Sequence, residues 1–151
     1  GCVMIVAYLE QTGWFPPVII LLAIGVSMLL SQLIKYIRHP YSLKSFSRDG
    51  GMPSTHATII SSSLTGIFLV EGISMLFVLG CAIGIIILRD SFGVRYTVGE
   101  NAKVLKESVD GSLERRVIVD EGHSPKQIIV GFLLGVVITL LFVFLFGVNT
   151  I

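Results

Sequence analysis

Residues 50–57 read Gly-Gly-Met-Pro-Ser-Thr-His-Ala and stand directly before a long apolar run. Glycine lets a backbone turn tightly and approach a ligand closely. Pro53 suits the first helical position, where its missing N–H would lack a partner anyway. Ser54 and Thr55 bring hydroxyls beside the unpaired N–H groups of a helix start, a ready seat for an anion, and His56 faces whatever they hold. A second histidine has a similar setting. Gly122-His123-Ser124-Pro125 opens the last apolar run, with Ser124 fit to cap a helix and Pro125 fit to begin it. Lys35 closes the first apolar run, and Arg89, Asp90 and Arg95 close the third. Helix starts and arginine forks both favour phosphate oxygens. A phosphoryl group held there can be attacked by a neutral imidazole while another imidazole protonates the leaving oxygen. The helix dipole disfavours a positive charge on His123, which marks it as the nucleophile and His56 as the acid. The plainer alternative is two capped helix starts with incidental histidines.

The elements that must carry these groups are membrane helices. Hydrophobic residues make up 53% of the 151 and charged ones 14%, too apolar for a soluble globule. Uncharged runs at Val18–Ile34, from the 50–57 motif to Val70, at Ile73–Leu88 and at Ile128–Phe146 read as four transmembrane helices. The expected fold is therefore all-α, one membrane-embedded bundle over residues 1–151. A short apolar segment, Gly1 to Gly13, precedes it and does not read as a secretory signal. Glu71-Gly72 is a minimal turn, so the second and third spans form an antiparallel hairpin. Val98, Ala102, Leu105 and Val109 recur at helical spacing and predict a short interfacial helix that Gly111 ends. Ser31, Gln32 and Lys35 share one face of the first span and point into the bundle. Gly131 and Gly135, like Ser61-Ser62-Ser63 and Gly66, make small-residue packing faces, through which a homo-oligomer is also conceivable. Cys2 and Cys81 read as free thiols.

Four spans with this hairpin put both termini on one side. All 11 lysines and arginines and all three histidines fall on the other side, which leaves Glu10 and Glu71 opposite. By the positive-inside rule the crowded side is cytoplasmic, in a cell (inner) membrane. The net charge of +1 implies no nucleic-acid partner. The expected partners are the bilayer and a lipid phosphate.

Gly-Gly-Met-Pro-Ser-Thr-His at 50–56, Asp90 to Arg95 and Gly-His-Ser-Pro at 122–125 resemble the divergent branch of the type-2 phosphatidic acid phosphatases. These are membrane relatives of acid phosphatases and vanadium haloperoxidases. The resemblance implies a metal-independent lipid phosphatase that works through a phosphohistidine, without a cofactor. It makes His123 the nucleophile and His56 the acid, and it leaves Lys35, Gly51, Ser54, Thr55, Asp90 and Arg95 to hold the phosphate. The departures are specific. Thr55 stands where the parent family has glycine, and His39-Pro40 follows Arg38 where an Arg-Pro pair is expected. Val117 occupies the place of an arginine upstream of the nucleophile, for which Arg95 or Arg116 must substitute. Gln127 stands four residues after His123, where the family has a carboxylate that orients the nucleophile. It shares a helix face with His123 and can accept a hydrogen bond, but it cannot stabilise an imidazolium by charge. A lipid-phosphate binder or small transporter that keeps the anion site without fast chemistry is the competing expectation. His56, His123 and Asp90 have no recognised metal-ligand spacing, so no metal site is expected.

Overall fold

The structure, a computed structural model, describes residues 15–38, 51–108 and 124–148. Their backbone is helical: α1 is Phe15–Arg38, α2 Thr55–Glu71, α3 Met75–Arg89, α4 Arg95–Ser108 and α5 Pro125–Phe146, with a π-helical turn, Asp90–Val94, between α3 and α4. The N-terminal apolar segment lies outside the described residues.

Helix boundaries follow local chemistry. Ser54, Ser74 and Ser124 each sit in extended backbone and accept a hydrogen bond from a first-turn N–H, which caps α2, α3 and α5. Pro125 takes the first position of α5. Pro53 does not do the same for α2. It is buried in the turn before Ser54, because the serine takes the cap and the helix begins at Thr55.

α2 is the axis of the bundle, with α1, α3 and α5 packed around it. The hydroxyls of Ser31 and Thr55 meet at 3.1 Å, while Phe15 and Ile19 cluster near Leu69 and Val70, so α1 runs antiparallel to α2. Gly84 lies against Ile60, Gly80 against Leu64 and Phe77 against Phe68, so α3 is antiparallel as well. α5 runs parallel to α2, from Gly131 beside Ser54 to Val143 in the Phe15 cluster. The expected hairpin is present. The C-termini of α1 and α3 and the N-termini of α2 and α5 therefore share one end, and Lys35, Arg38, Arg89 and Lys126 stand there.

The interior is unlike that of a soluble protein. Ser27, Ser31, Thr58, Ser61, Ser62 and Thr139 are buried, whereas Met75 and Phe144 are each 84% exposed. Small hydroxyl residues let backbones approach, and their hydroxyls find partners inside: Ser62 and Thr139 meet at 2.7 Å. Large apolar side chains turned outward suit a hydrocarbon surrounding. Gly131 and Gly135 serve this packing directly. A Cβ on Gly131 would collide with the Ser54 carbonyl, and one on Gly135 with the Thr58 carbonyl and the Ser61 hydroxyl.

The expectation of four equal spans needs correction. Among the described residues two helices, α1 with 24 residues and α5 with 22, are long and apolar enough to cross a membrane. α2 has 17 residues and α3 has 15. At ~1.5 Å per residue they reach only about 25 and 22 Å, against ~30 Å of hydrocarbon. The uncharged runs overstate them because Ile73 and Ser74 belong to the turn and cap, and Gly51 to Ser54 lie outside α2. The expected interfacial helix is present as α4. It does not start afresh after α3, since the π-helical turn carries the chain straight into it, and Val98 and Leu105 stay exposed.

The glycine contacts make a paired prediction. Gly135→Val forces backbone apart and should lower stability by about 1–3 kcal/mol or more. Gly25→Val, where an added Cβ meets nothing within 4 Å, should leave the melting temperature in detergent unchanged.

Candidate active site

The shared polar end brings several of the expected residues together. Gly51 has φ +105°, a conformation that disfavours any side chain. The methylenes of Lys35 pass within 3.9–4.0 Å of where its Cβ would stand. Lys35 itself is only 5% exposed, a cation carried on α1 into the start of α2. Its stem packs along bare backbone, which a residue other than glycine would obstruct.

Ser54 is fully buried, and its groups are occupied structurally. Its N–H donates to the Gln127 carbonyl at 3.0 Å, its hydroxyl accepts from Ala57 N–H at 3.4 Å, and its carbonyl accepts from the Thr58 hydroxyl at 2.9 Å. The first of these ties α2 to α5. Thr55, the first residue of α2, shares its hydrogen bond with Ser31. His56 follows, half-buried, with Nδ1 out of contact with solvent. Lys35 and His56 are each engaged by further groups.

Gln127 was expected to orient the nucleophile, and its amide has a different partner. Oε1 accepts from Ser124 N–H at 2.8 Å, and the Ser124 hydroxyl accepts from Gln127 N–H at 3.4 Å, which together form a capping box. The Ser-x-x-Gln spacing carried that signal, but the distance to His123 drew attention away from it. His123 lies outside the described residues, as do His39 and Arg116.

Asp90 and Arg95 bracket the π-helical turn and pair at 3.2 Å, both partly exposed. The turn supplies the extra residue that brings positions 90 and 95 onto one face, since five residues make one π turn. The pair stands at the α3 end of the same pole as Lys35. Glu100 and Lys103 pair at 3.0 Å on α4, on its solvated side as expected. The described residues contain no cluster of His, Cys, Asp and Glu that could hold a metal.

The polar end thus presents a buried lysine, an Asp–Arg pair, two capped helix starts and an imidazole. That set can hold an anion and move a proton. Ser27, Ser62 and Thr139 were missed as an interhelical hydroxyl chain, because serine and threonine at helical spacing look the same whether they face lipid, water or one another.

The chain matches the Divergent PAP2 family over residues 17–138, a stretch that includes Lys35, both candidate histidines, Asp90, Arg95 and Gln127. It is similar to the uncharacterized membrane protein YuiD of Bacillus subtilis (strain 168), with 30% identity over 115 residues that cover 64% of this chain and 73% of that protein. No solved structure matches it. The two apolar helices and a membrane-protein homologue together point to membrane association.

The capping box separates two substitutions at one position. Gln127→Ala should cost about 1 kcal/mol of stability through the lost cap, whereas Gln127→Glu, which completes the preferred Ser-x-x-Glu box, should cost nothing. Thermal unfolding of the purified variants in one detergent measures both.

Proposed function

The chain belongs to the Divergent PAP2 family, and from that premise we propose that it hydrolyses the phosphate or diphosphate of a membrane lipid. The observation that carries the reading is Lys35, buried against Gly51 at the start of α2 beside His56. A lysine taken so far out of water needs anionic company, and a phosphate monoester or diphosphate at the helix start supplies it. The Asp90–Arg95 pair adds an arginine whose orientation is already set by its carboxylate partner.

In this reading His123 attacks phosphorus, the bond to the lipid oxygen breaks, and His56 gives its proton to that oxygen. Water, deprotonated by His56, then attacks the phosphohistidine and releases inorganic phosphate. No metal or cofactor is required. Lys35, Arg95 and the N–H groups at the start of α2 hold the equatorial oxygens, where charge is spread in the transition state. Gly51 lets Lys35 pass, Ser54 and Thr55 set the helix start, and Asp90 orients Arg95. Gln127 supports the helix that follows the nucleophile without the charge of a carboxylate, so turnover is slow.

α1 and α5 span the bilayer. α2 and α3 cross it as a paired hairpin whose ends reach the headgroup level through their polar caps, and α4 lies at the cytoplasmic surface. A site at the membrane surface favours a substrate whose tail stays in the bilayer. The eleven basic residues support a cytoplasmic site in the inner membrane, with both termini opposite.

A binder or transporter remains the second reading, favoured by one observation: the Gln127 amide is spent on a helix cap. The variant that keeps the cap distinguishes the two. Phosphate release from phosphatidate or an isoprenoid diphosphate in detergent with EDTA should occur in the native chain, rise by an order of magnitude or more in Gln127→Glu, and vanish in His56→Ala. Inactivity of both the native chain and Gln127→Glu on every lipid phosphate tried removes the phosphatase reading.

Sidedness has its own test. Cysteines at Ser47 and Ser112, in a background lacking Cys2 and Cys81, should resist an impermeant thiol reagent in intact cells and react after lysis. Labelling of both before lysis puts the site outside.

A further inference from the structure

Gln32 carries a side-chain oxygen, Oε1, that is shut off from solvent and accepts no hydrogen bond. Buried acceptors in folded proteins are nearly always paired, and one left bare is costly. Its position ties it to the site. Gln32 follows Ser31, whose hydroxyl meets Thr55, and stands one turn before Lys35. Because α1 and α2 run antiparallel, the residues that follow this contact on the two helices, Gln32 and His56, turn to the same side of the seam. The bare acceptor therefore lies on the His56 side of the α1–α2 contact, next to the buried lysine.

Phosphate cannot satisfy it. A phosphate dianion offers only acceptors, which suit Lys35, Arg95 and backbone N–H groups, whereas a carbonyl oxygen repels them. Gln32 Oε1 needs a donor that arrives with the substrate. Water could supply one, but a hydroxyl fixed beside the phosphate supplies it without immobilising a separate molecule. We propose that Gln32 Oε1 accepts a hydrogen bond from a hydroxyl that the lipid carries next to its phosphate, so that the site selects hydroxyl-bearing glycerophosphate lipids over lipid phosphates without one, isoprenoid diphosphates included. The inference rests on reading the polar end as a lipid-phosphate site, and it adds the part of the substrate that the phosphate contacts do not read. Sites that hydrogen-bond a substrate hydroxyl reject the analogue lacking it more strongly than apolar pockets reject a missing methylene, because the protein group is then left unpaired.

The test uses two lipids that differ by one hydroxyl, 1-oleoyl-glycerol 3-phosphate and its 2-deoxy analogue. Affinity for each is measured by titration into nanodiscs holding the full chain, and phosphate release is followed in parallel. The native protein should bind the hydroxyl lipid about tenfold or more tightly than the deoxy lipid. Gln32→Leu and Gln32→Met, which keep bulk and helix propensity, should weaken the hydroxyl lipid to the level of the deoxy one and leave the deoxy lipid unchanged. Equal affinity in the native protein overturns the proposal, as does a preference that survives in either folded variant or a loss of both lipids together. If neither variant folds, the native comparison alone decides. A preference without hydrolysis removes the phosphatase reading and keeps this one. Hydrolysis of both lipids with equal affinity does the reverse, and binding of neither lipid overturns both.

Discussion

Ser54 donates its backbone N–H to the carbonyl of Gln127, and that bond can form only because α5 reaches the start of α2 at backbone distance. Gly131 and Gly135 set the distance, since a methyl group on either would strike α2. Once the two helices are locked together there, the rest of the polar end follows. Their N-termini open on the same side, Ser54 and Ser124 cap them, and Thr55 is turned toward Ser31 on α1. α1 then delivers Lys35 to Gly51. The site is a consequence of close backbone packing more than of any contact among the candidate catalytic side chains.

Lipid makes this arrangement affordable. In water, a core of serine and threonine hydroxyls with leucine, isoleucine and phenylalanine outside would not hold together, because the driving force would favour turning it inside out. In hydrocarbon the outer surface costs nothing, and association depends on close packing and on hydroxyl pairs such as Ser62 with Thr139. A polar end is what such a bundle can offer to a headgroup. Lys35, buried while the long apolar side chains around it are exposed, marks where the polar and apolar surroundings meet.

Much of this was legible from residue types. The serine-proline and glycine-glycine signals located the starts of α2 and α5, and the minimal Glu71-Gly72 turn predicted the α2–α3 hairpin. The spacing of Val98 and Leu105 predicted α4, and the small residues at 131 and 135 predicted a packing face. What was not legible depended on choices between equally good local partners. Pro53 and Ser54 both suit a helix start, and the structure gave the cap to the serine. Gln127 suits an imidazole or a cap, and it closed the cap. Hydropathy counted Ile73 and Ser74 as span, although a serine that caps a helix cannot also lie within it. The π-helical turn had no composition signal, since Asp90 and Arg95 pair just as readily at ordinary i,i+4 spacing. Gln32 could be assigned to the inner face of α1, but the lack of a partner for its oxygen emerges only once the neighbouring helices are in place.

The central claim is that His123, at the start of α5, carries the phosphoryl group between lipid and water. Its most direct test is to mix the purified protein with ³²P-labelled lipid phosphate, quench in alkali within the first turnover, and map the labelled peptide. The account predicts a base-stable, acid-labile label on the peptide that contains His123, present in the native chain and absent from His123→Ala. Turnover of the substrate with no such label, or with label on a serine, threonine or aspartate instead, would contradict it.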